Sequence, residues 1–191
     1  IIINDNFKKT NMVSSLFCAE DWIKNDEDLL ITYGDIIYEE RVIKGLLDSN
    51  APITVSVDRK WQDLWEARMS DPLSDAETLK INKSGLITEI GRVPKNLKDI
   101  QGQYMGLIKI RGDTISKLKK SWVAMKRLGR NQGHELKNIY MTDFIQLMIN
   151  DGTHVAPAFT DAGWIEIDTV QDLELYNMLY SAKKLDQFIS L

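Results

Sequence analysis

Several residue types are scarce in this chain of 191 residues, and each scarcity excludes a class of protein. The single cysteine, Cys18, excludes an internal disulfide, and with only two histidines the chain has few of the ligands that structural zinc sites use. No apolar run approaches the roughly 20 residues that a membrane-spanning helix needs. Basic residues do not dominate, since 24 Lys and Arg against 28 Asp and Glu give a formal charge of −4. This composition argues against nucleic-acid binding and membrane insertion and fits a reducing, cytoplasmic compartment.

The chain also lacks an internal repeat, a low-complexity tract and a Pro/Gly-rich linker. We therefore expect residues 1–191 to form a single domain, a length that allows one sizeable core. Cys18 lies on the apolar face of the first expected helix, so we expect its thiol to be buried and inert.

Two kinds of hydrophobic pattern alternate along the chain. The apolar run Leu29–Tyr33 is typical of a buried parallel strand, helical spacing follows over Glu39–Asp48, and a strand pattern returns at Ile53–Val57. This order predicts an α/β fold, a doubly wound and mostly parallel, Rossmann-like sheet. The turn Asn82–Gly85 predicts a small antiparallel hairpin inserted into it. Further strands are expected at 104–110, 154–159 and 164–167, and further helices at 11–23, 61–68, 114–127 and 142–150. Thr169 is expected to cap a last helix, with Asp172 three residues on as a capping-box-like partner.

Three acidic residues occupy positions where α/β proteins bind ligands. Asp35 follows the first buried strand, and ligands of open α/β sheets bind beyond such strand ends. Glu166 and Asp168 are two apart on an expected strand, so both carboxylates project to one side while Ile167 faces the core. Carboxylates gathered in one cleft need a cation, and hard oxygen ligands suit Mg²⁺. Position alone leaves a second interpretation open, in which Asp35 forms a turn and Asp168 complements a helix dipole.

Four segments, in order, resemble a known family. Leu30–Ile37, with the sequence LITYGDII, resembles the strand-Gly-Asp motif of nucleotidyltransferases that join a nucleotide to a phosphorylated acceptor. Gly163–Thr169, GWIEIDT, is similar to their closing motif. Thr10–Leu16, TNMVSSL, and Gln103–Leu107, QYMGL, are similar to segments of the phosphocholine cytidylyltransferase branch. The resemblance carried by the four segments spans the chain from about residue 4 to about residue 180.

The resemblance implies an Mg²⁺-dependent reaction of CTP, in which an acceptor phosphate or phosphonate attacks the α-phosphorus and releases pyrophosphate. In that family the Asp after the Gly and the acidic residues of the closing strand hold Mg²⁺. Carried over, the metal ligands are Asp35, Glu166 and Asp168, of which Asp35 and Asp168 are catalytic. The residues expected to bind the nucleotide are Asn11, Ser14, Tyr33 and Gly34.

The acceptor is expected near segment 57–68, which holds two Trp among several charges. Aromatic faces bind choline-like cations, so Trp61 or Trp65 suits a quaternary ammonium group. Arginine suits a phosphate or carboxylate instead, and a surface helix with Trp65 packed inward is an equal alternative. The glycine on the expected strand at 104–110 permits close approach of a ligand. The residues expected to bind the acceptor are Arg59, Trp61, Arg68, Lys95, Tyr104, Gly106 and Asp143. Two alternatives stay open, in which Lys95 is a solvated loop residue and Asp143 caps a helix.

Segment 71–80 resembles a subgroup that includes cytidylyltransferases acting on phosphoglutamine in capsule biosynthesis. An acceptor with its own carboxylate would account for the extra Arg and Lys of segment 57–68. The family also has an N-terminal strand and a Gly-rich loop followed by Lys, which nothing in the first thirty residues matches, so we expect N-terminal strands to be missing from this chain. A sugar-1-phosphate nucleotidyltransferase and a non-catalytic relic are the alternatives, and a homodimer is left open.

Overall fold

The computed structural model describes the backbone of residues 1–132 and 139–191, so His134 lies outside the described residues. Within this part of the chain the helices are α1 (Met12–Phe17), α2 (Glu40–Leu47), α3 (Trp61–Arg68), α4 (Ile115–Gln132), α5 (Met141–Asn150) and α6 (Val170–Ser181). The strands are β1 (Leu29–Thr32), β2 (Ile36–Tyr38), β3 (Ile53–Asp58), β4 (Leu79–Ile81), β5 (Ile87–Ile90), β6 (Gln103–Ile110), β7 (Val155–Thr160) and β8 (Trp164–Glu166).

The central sheet has the strand order β1-β6-β3-β7. β3 and β7 are parallel, whereas β6 runs antiparallel to both of its neighbours, β1 and β3. β1, β3 and β7 therefore share one direction, which confirms the predicted α/β fold with a mostly parallel sheet, β6 being the exception. The carboxyl ends of these three strands lie at one edge, where Tyr33, Gly34 and Asp35 follow β1.

The apolar side chains of β6 divide between two hydrophobic clusters. Met105 and Leu107 belong to one cluster with α2 and α3, and Ile108 and Ile110 belong to the other with α4 and α5. Alternate side chains of a strand face opposite sides of its sheet, so each face of the sheet is covered by its own core. The continuous apolar sequence of β6 is thus explained by burial on both faces.

Two small antiparallel pairs accompany the central sheet. β4 pairs with β5, as the hairpin prediction required, and Gly85 in the turn has a positive φ of 78°, a conformation that glycine adopts without strain. β2 pairs with β8, with Ile36 opposite Glu166. The sequence did not predict β2, because three residues directly after a Gly-Asp turn show no periodicity of their own.

The first helix is shorter than predicted, and Cys18 is exposed rather than buried. α1 ends at Phe17, and its buried face consists of Val13 and Phe17, which are four residues apart. Cys18 comes one position after Phe17, and a rotation of about 100° per residue carries it away from that face. The expectation of a buried thiol was therefore wrong.

None of the described helices is long and apolar enough to cross a membrane.

Candidate active site

The Gly-Asp turn after β1 is joined to the closing strand β8 through the backbone. The amide of Ile167 donates a hydrogen bond to the carbonyl oxygen of Asp35 over 2.9 Å, which continues the pairing of β2 with β8. Asp35 thus lies beside the Glu166–Asp168 segment, although about 130 residues separate them in the sequence. The fold therefore brings the backbone of these acidic positions together.

The closing segment presents its two carboxylates to one side, as its spacing predicts. Glu166 and Asp168 both bind the guanidinium of Arg68, at 3.0 Å and 2.5 Å. Ile167 between them packs against the cluster that contains Leu107. Arg68 comes from the last turn of α3, and only 3% of its side chain is exposed.

A third carboxylate completes the surroundings of Arg68. Asp172 accepts hydrogen bonds from Nε and Nη2 of Arg68 at 2.9 Å and 3.2 Å. The Asp172 carboxylate also accepts a hydrogen bond from the backbone amide of Thr169, and the Thr169 hydroxyl accepts one from the backbone amide of Asp172. The two residues thus form the predicted capping box of α6. The helix cap therefore fixes Asp172 in position to hold Arg68.

These contacts set the charge states of the cluster. Burial alone would lower the pKa of Arg68, but hydrogen bonds with Asp172 and Asp168 raise it above its ordinary value. Asp172 is buried as well, yet the hydrogen bonds from Arg68 and Thr169 lower its pKa. Burial and the nearby charge of Asp168 raise the pKa of Glu166 to about 7, against the opposing effect of Arg68. Arg68 thus keeps Asp172 ionised, while Glu166 titrates near neutrality.

Two adjoining cavities open beside this cluster. The first, which we call the acidic cavity, measures about 340 Å³ and is lined by Met12, Tyr33, Trp65, Asp75, Glu77, Gln103, Tyr104, Tyr140, Met141, Thr142, Glu166 and Asp168. The second, which we call the Asp35 cavity, measures about 390 Å³ and is lined by Met12, Ser15, Leu16, Ile31, Thr32, Tyr33, Gly34, Asp35 and Met141. The two share Met12, Tyr33 and Met141, which therefore form a common wall.

The common wall depends on a glycine of β6. Gly106 has a φ of 78°, and a Cβ atom at this position would lie 2.8 Å from the ring of Tyr33. The Tyr33 ring also packs edge-on against Tyr104, with their centroids 6.0 Å apart. Burial raises the pKa of Tyr33 to about 12, so its hydroxyl stays protonated at neutral pH. The close approach expected at Gly106 is thus made by the wall residue Tyr33.

No protein-family model matches the chain, but a curated relative does. The chain is 34% identical over 177 residues to the CTP:phosphoglutamine cytidylyltransferase of Campylobacter jejuni, which covers 91% of this chain and 70% of that protein. The chain belongs to the cytidylyltransferase family.

Solved structures show that the fold of this cytidylyltransferase is that of the wider nucleotidyltransferase group. An inositol-1-phosphate CTP transferase from T. maritima superposes with a TM-score of 0.62 at 18% identity, over 98% of this chain and 67% of that chain. A Bacillus anthracis protein assigned as a glucose-1-phosphate thymidylyltransferase superposes with a TM-score of 0.61 at 17% identity, over 96% of this chain and 65% of that chain. The predicted resemblance to nucleotidyltransferases is confirmed.

The residues predicted to bind the nucleotide lie at or near the Asp35 cavity of the cytidylyltransferase. Tyr33 and Gly34 line it. Asn11 caps α1, with its side-chain oxygen accepting the amide of Met12 over 2.8 Å. Ser15 lines the cavity, whereas Ser14 is not among its lining residues.

Of the residues predicted to bind the acceptor, only Tyr104 is among those that line the acidic cavity. Arg59 forms a two-point ion pair with Asp161 at 2.9 Å in each contact. Trp61 is buried against Trp65, with ring centroids 6.0 Å apart. Trp65 is packed inward, as in the alternative left open for segment 57–68, and Trp61 is buried beside it.

Three further residues of that predicted set have other surroundings. Lys95 is exposed, and its backbone amide binds Asp99, which fits the alternative of a solvated loop position. Asp143 is exposed in the first turn of α5. Arg68 is enclosed by carboxylates, so its guanidinium neutralises the acidic cluster.

Two acidic residues of the acidic cavity were not predicted, namely Asp75 and Glu77. They lie between α3 and β4, in a stretch without helical or strand periodicity. Nothing in the sequence there distinguishes a cavity-lining acid from an ordinary acidic residue of a loop. Thr142 donates a hydrogen bond to Glu77 over 3.3 Å, and burial raises the pKa of Glu77. Only the fold brings these residues to the same cavity as Glu166.

Within residues 1–132 and 139–191, no three His, Cys, Asp or Glu side chains are grouped to hold a metal ion on their own. Glu166 and Asp168 share Arg68 instead, and Asp35 lines the neighbouring cavity. The assignment of Asp35, Glu166 and Asp168 as Mg²⁺ ligands stays a prediction.

Proposed function

We propose that this protein is an Mg²⁺-dependent cytidylyltransferase that couples CTP to a small phosphorylated acceptor and releases pyrophosphate. The observation that carries the proposal is the pair of cavities with Tyr33 in their common wall. Asp35 lines one cavity, and Glu166 and Asp168 line the other. Two substrates that react with each other must bind in adjoining sites. Carboxylates in both sites suit a cation that lies between the nucleotide and the acceptor phosphate.

The donor set fits Mg²⁺ as an incomplete shell. Asp35 is exposed, and 45% of the Asp168 side chain is exposed, so both carboxylates retain accessible oxygen atoms. Mg²⁺ is usually bound by one or two carboxylates together with water and substrate phosphates, so a complete protein cage is not needed. Asp35 and Asp168 would hold the ion, with Glu166 beside them. When bound, Mg²⁺ supplies neutralisation of the phosphate charge.

The residues of the chain contribute alignment through the two adjoining cavities. An acceptor phosphate is already an anion at neutral pH, so its attack on phosphorus needs no general base. Tyr33 lines both cavities, and burial raises its pKa to about 12. Catalysis here consists of holding two anionic substrates side by side, which their electrostatic repulsion otherwise prevents.

Phosphoglutamine is the acceptor that we propose, ahead of phosphocholine and aminoethylphosphonate. The support is the Campylobacter jejuni relative, a CTP:phosphoglutamine cytidylyltransferase that is 34% identical to this chain. The product would serve in the decoration of cell-surface polysaccharide or lipid.

The test is an assay of the full-length protein for pyrophosphate release with each nucleoside triphosphate in turn. Its acceptors are phosphoglutamine, phosphocholine, aminoethylphosphonate and a sugar 1-phosphate. We expect turnover with CTP and phosphoglutamine that depends on Mg²⁺ and stops when a chelator is added. Absence of turnover with every acceptor would refute the proposal, and preference for another nucleotide with a sugar 1-phosphate would replace it by the sugar-nucleotide alternative.

Two variants test the metal assignment. Asp35→Asn and Asp168→Asn should each lower kcat by about 10²-fold or more, since each removes a charge that faces the substrates. Asp186→Asn is the matched control, because Asp186 is exposed outside both cavities. Wild-type kcat in Asp35→Asn and Asp168→Asn, at any Mg²⁺ concentration, would contradict the assignment.

A further inference from the structure

The acidic cavity has an excess of negative charge that its own side chains do not balance. Asp75, Glu77, Glu166 and Asp168 all line it, and none of its lining residues in the described chain is Lys, Arg or His. Arg68 neutralises part of this charge from behind, through Glu166 and Asp168. Asp75 and Glu77 have no ion pair with any residue that the structure describes.

Within the described chain, Glu77 is held by neutral groups only. Its backbone amide donates to the side-chain oxygen of Gln103 over 3.4 Å, and its carboxylate accepts from the hydroxyl of Thr142 over 3.3 Å. Both Gln103 and Thr142 are buried. A half-buried carboxylate with one neutral hydrogen bond and no cation is unfavourable in its ionised form, and a cationic group bound beside it would offset that cost.

An unpartnered polar atom points independently to a polar ligand in this cavity. The indole nitrogen of Trp65 is buried and has no hydrogen-bond partner among the described residues. Trp65 lines the acidic cavity, and only 3% of it is exposed. Buried polar atoms are rarely left unsatisfied, and such exceptions mark positions where a ligand or water completes the bonding.

We infer that the acidic cavity selects a phosphorylated acceptor with a protonated primary amine, and that Glu77, with Asp75 beside it, binds the ammonium group. This inference rests on the proposed function, since it assigns the acceptor to this cavity. An ammonium group supplies both the missing positive charge and three N–H donors for the carboxylate oxygens.

The two tryptophans do not offer open faces to a quaternary ammonium group. Recognition of a quaternary ammonium depends on open aromatic faces. The Cζ atom of Arg68 already lies 5.5 Å from the ring centroid of Trp65, and Trp61 packs against the same ring without lining the cavity. The carboxylate of Glu77 can bind a primary amine through hydrogen bonds, which a trimethylated nitrogen cannot form.

The first arm of the test compares acceptors on the wild-type protein. Phosphoglutamine is compared with the same compound lacking its α-amino group, in the assay for pyrophosphate release from CTP. Loss of the ammonium group should lower kcat/KM by about 10- to 100-fold, the usual effect of one hydrogen-bonded charge. Equal kcat/KM for the two compounds would overturn the inference and leave the proposed function standing. Turnover of neither would overturn the inference, and it would overturn the proposed function as well when no other phosphorylated acceptor is turned over with CTP.

The second arm assigns the effect to Glu77. Glu77→Gln keeps the size and the acceptor oxygen of the side chain, and it should lower kcat/KM for phosphoglutamine by the same factor while leaving the deaminated acceptor unchanged. The matched control is Glu89→Gln, since Glu89 lies on β5 outside the acidic cavity and pairs with Lys80.

Direct calorimetric binding of phosphoglutamine to the variants separates recognition from chemistry. Weaker binding to Glu77→Gln but not to Glu89→Gln is the expected result. An equal loss for both acceptors in Glu77→Gln would show that Glu77 acts on folding or on the phosphoryl group, and would overturn its assignment to the ammonium.

Discussion

Arg68 is the residue whose removal should disturb this protein most, and Arg68→Met tests that expectation. The substitution keeps the aliphatic length of the side chain but leaves the carboxylates of Glu166 and Asp172 without their cation. Removing one partner of a buried ion pair costs about 3–5 kcal/mol. Asp168 contributes less to this loss because 45% of its side chain is exposed to solvent. We therefore expect the free energy of unfolding to fall by about 3 kcal/mol or more at pH 7.

The matched control for this loss is Arg59→Met. Arg59 also binds one carboxylate through two nitrogen atoms, and it also lies over an aromatic ring, 5.3 Å from the centroid of Phe159. It differs in burial, because 54% of its side chain is exposed. An exposed pair contributes at most about 1 kcal/mol, so Arg59→Met should unfold at nearly the same urea concentration as the wild type.

Equilibrium urea denaturation at pH 7 and at pH 5 measures both effects. Without Arg68, burial and the charge of Asp168 raise the pKa of Glu166 further above its unfolded value, since the opposing effect of Arg68 is gone. The stability of Arg68→Met should therefore fall as the pH rises through that folded pKa, and its deficit should be larger at pH 7 than at pH 5. Equal losses for Arg68→Met and Arg59→Met, or a deficit independent of pH, would refute the reasoning.

Three further predictions concern Glu166, Gly106 and Cys18. The pKa of Glu166 is raised to about 7, so its protonated form adds stability that is fully present below about pH 4.5 and is lost as the pH rises through 7. In urea denaturation with a chelator present, the free energy of unfolding should show this dependence on pH in the wild type and not in Glu166→Gln. Gly106→Ala should lower the Tm by at least about 2–4 °C in calorimetry, because a Cβ at a φ of 78° meets the Tyr33 ring. Cys18 should react with a thiol reagent in the folded protein, and reaction only after unfolding would contradict its exposure.

The elements that the sequence predicts well are those whose signal is local. α3 has the predicted bounds because Trp61, Leu64 and Trp65 repeat at helical spacing and are all buried. The capping box at Thr169 was also predicted, since both of its partners lie within four residues. Local propensity and the local hydrogen bond agree with the tertiary structure at these positions, which is the condition under which a pattern is informative.

The contacts that the sequence does not predict join distant segments. Arg68 and Glu166 are separated by 98 residues, and nothing in either neighbourhood distinguishes a guanidinium that binds carboxylates from one that binds a substrate anion. The antiparallel direction of β6 is a second example, because burial on both faces gives β6 the continuous apolar sequence that is typical of a parallel strand. Hydrophobic periodicity indicates which residues are buried, but burial does not indicate which residue a side chain binds or in which direction a strand runs.

The same limit explains why the carboxylates were predicted more fully than their counter-charge. The positions of Asp35, Glu166 and Asp168 follow from strand ends and strand alternation, both local rules, whereas the cation that balances them comes from a separate helix. Because Arg68 binds Glu166 and Asp172 from the buried side, it supports the strand and helix that carry these acids without covering Asp35. Accessible oxygens therefore remain where the substrates would bind. A buried guanidinium thus stabilises a cluster of acids that would otherwise repel one another before any substrate or metal ion arrives.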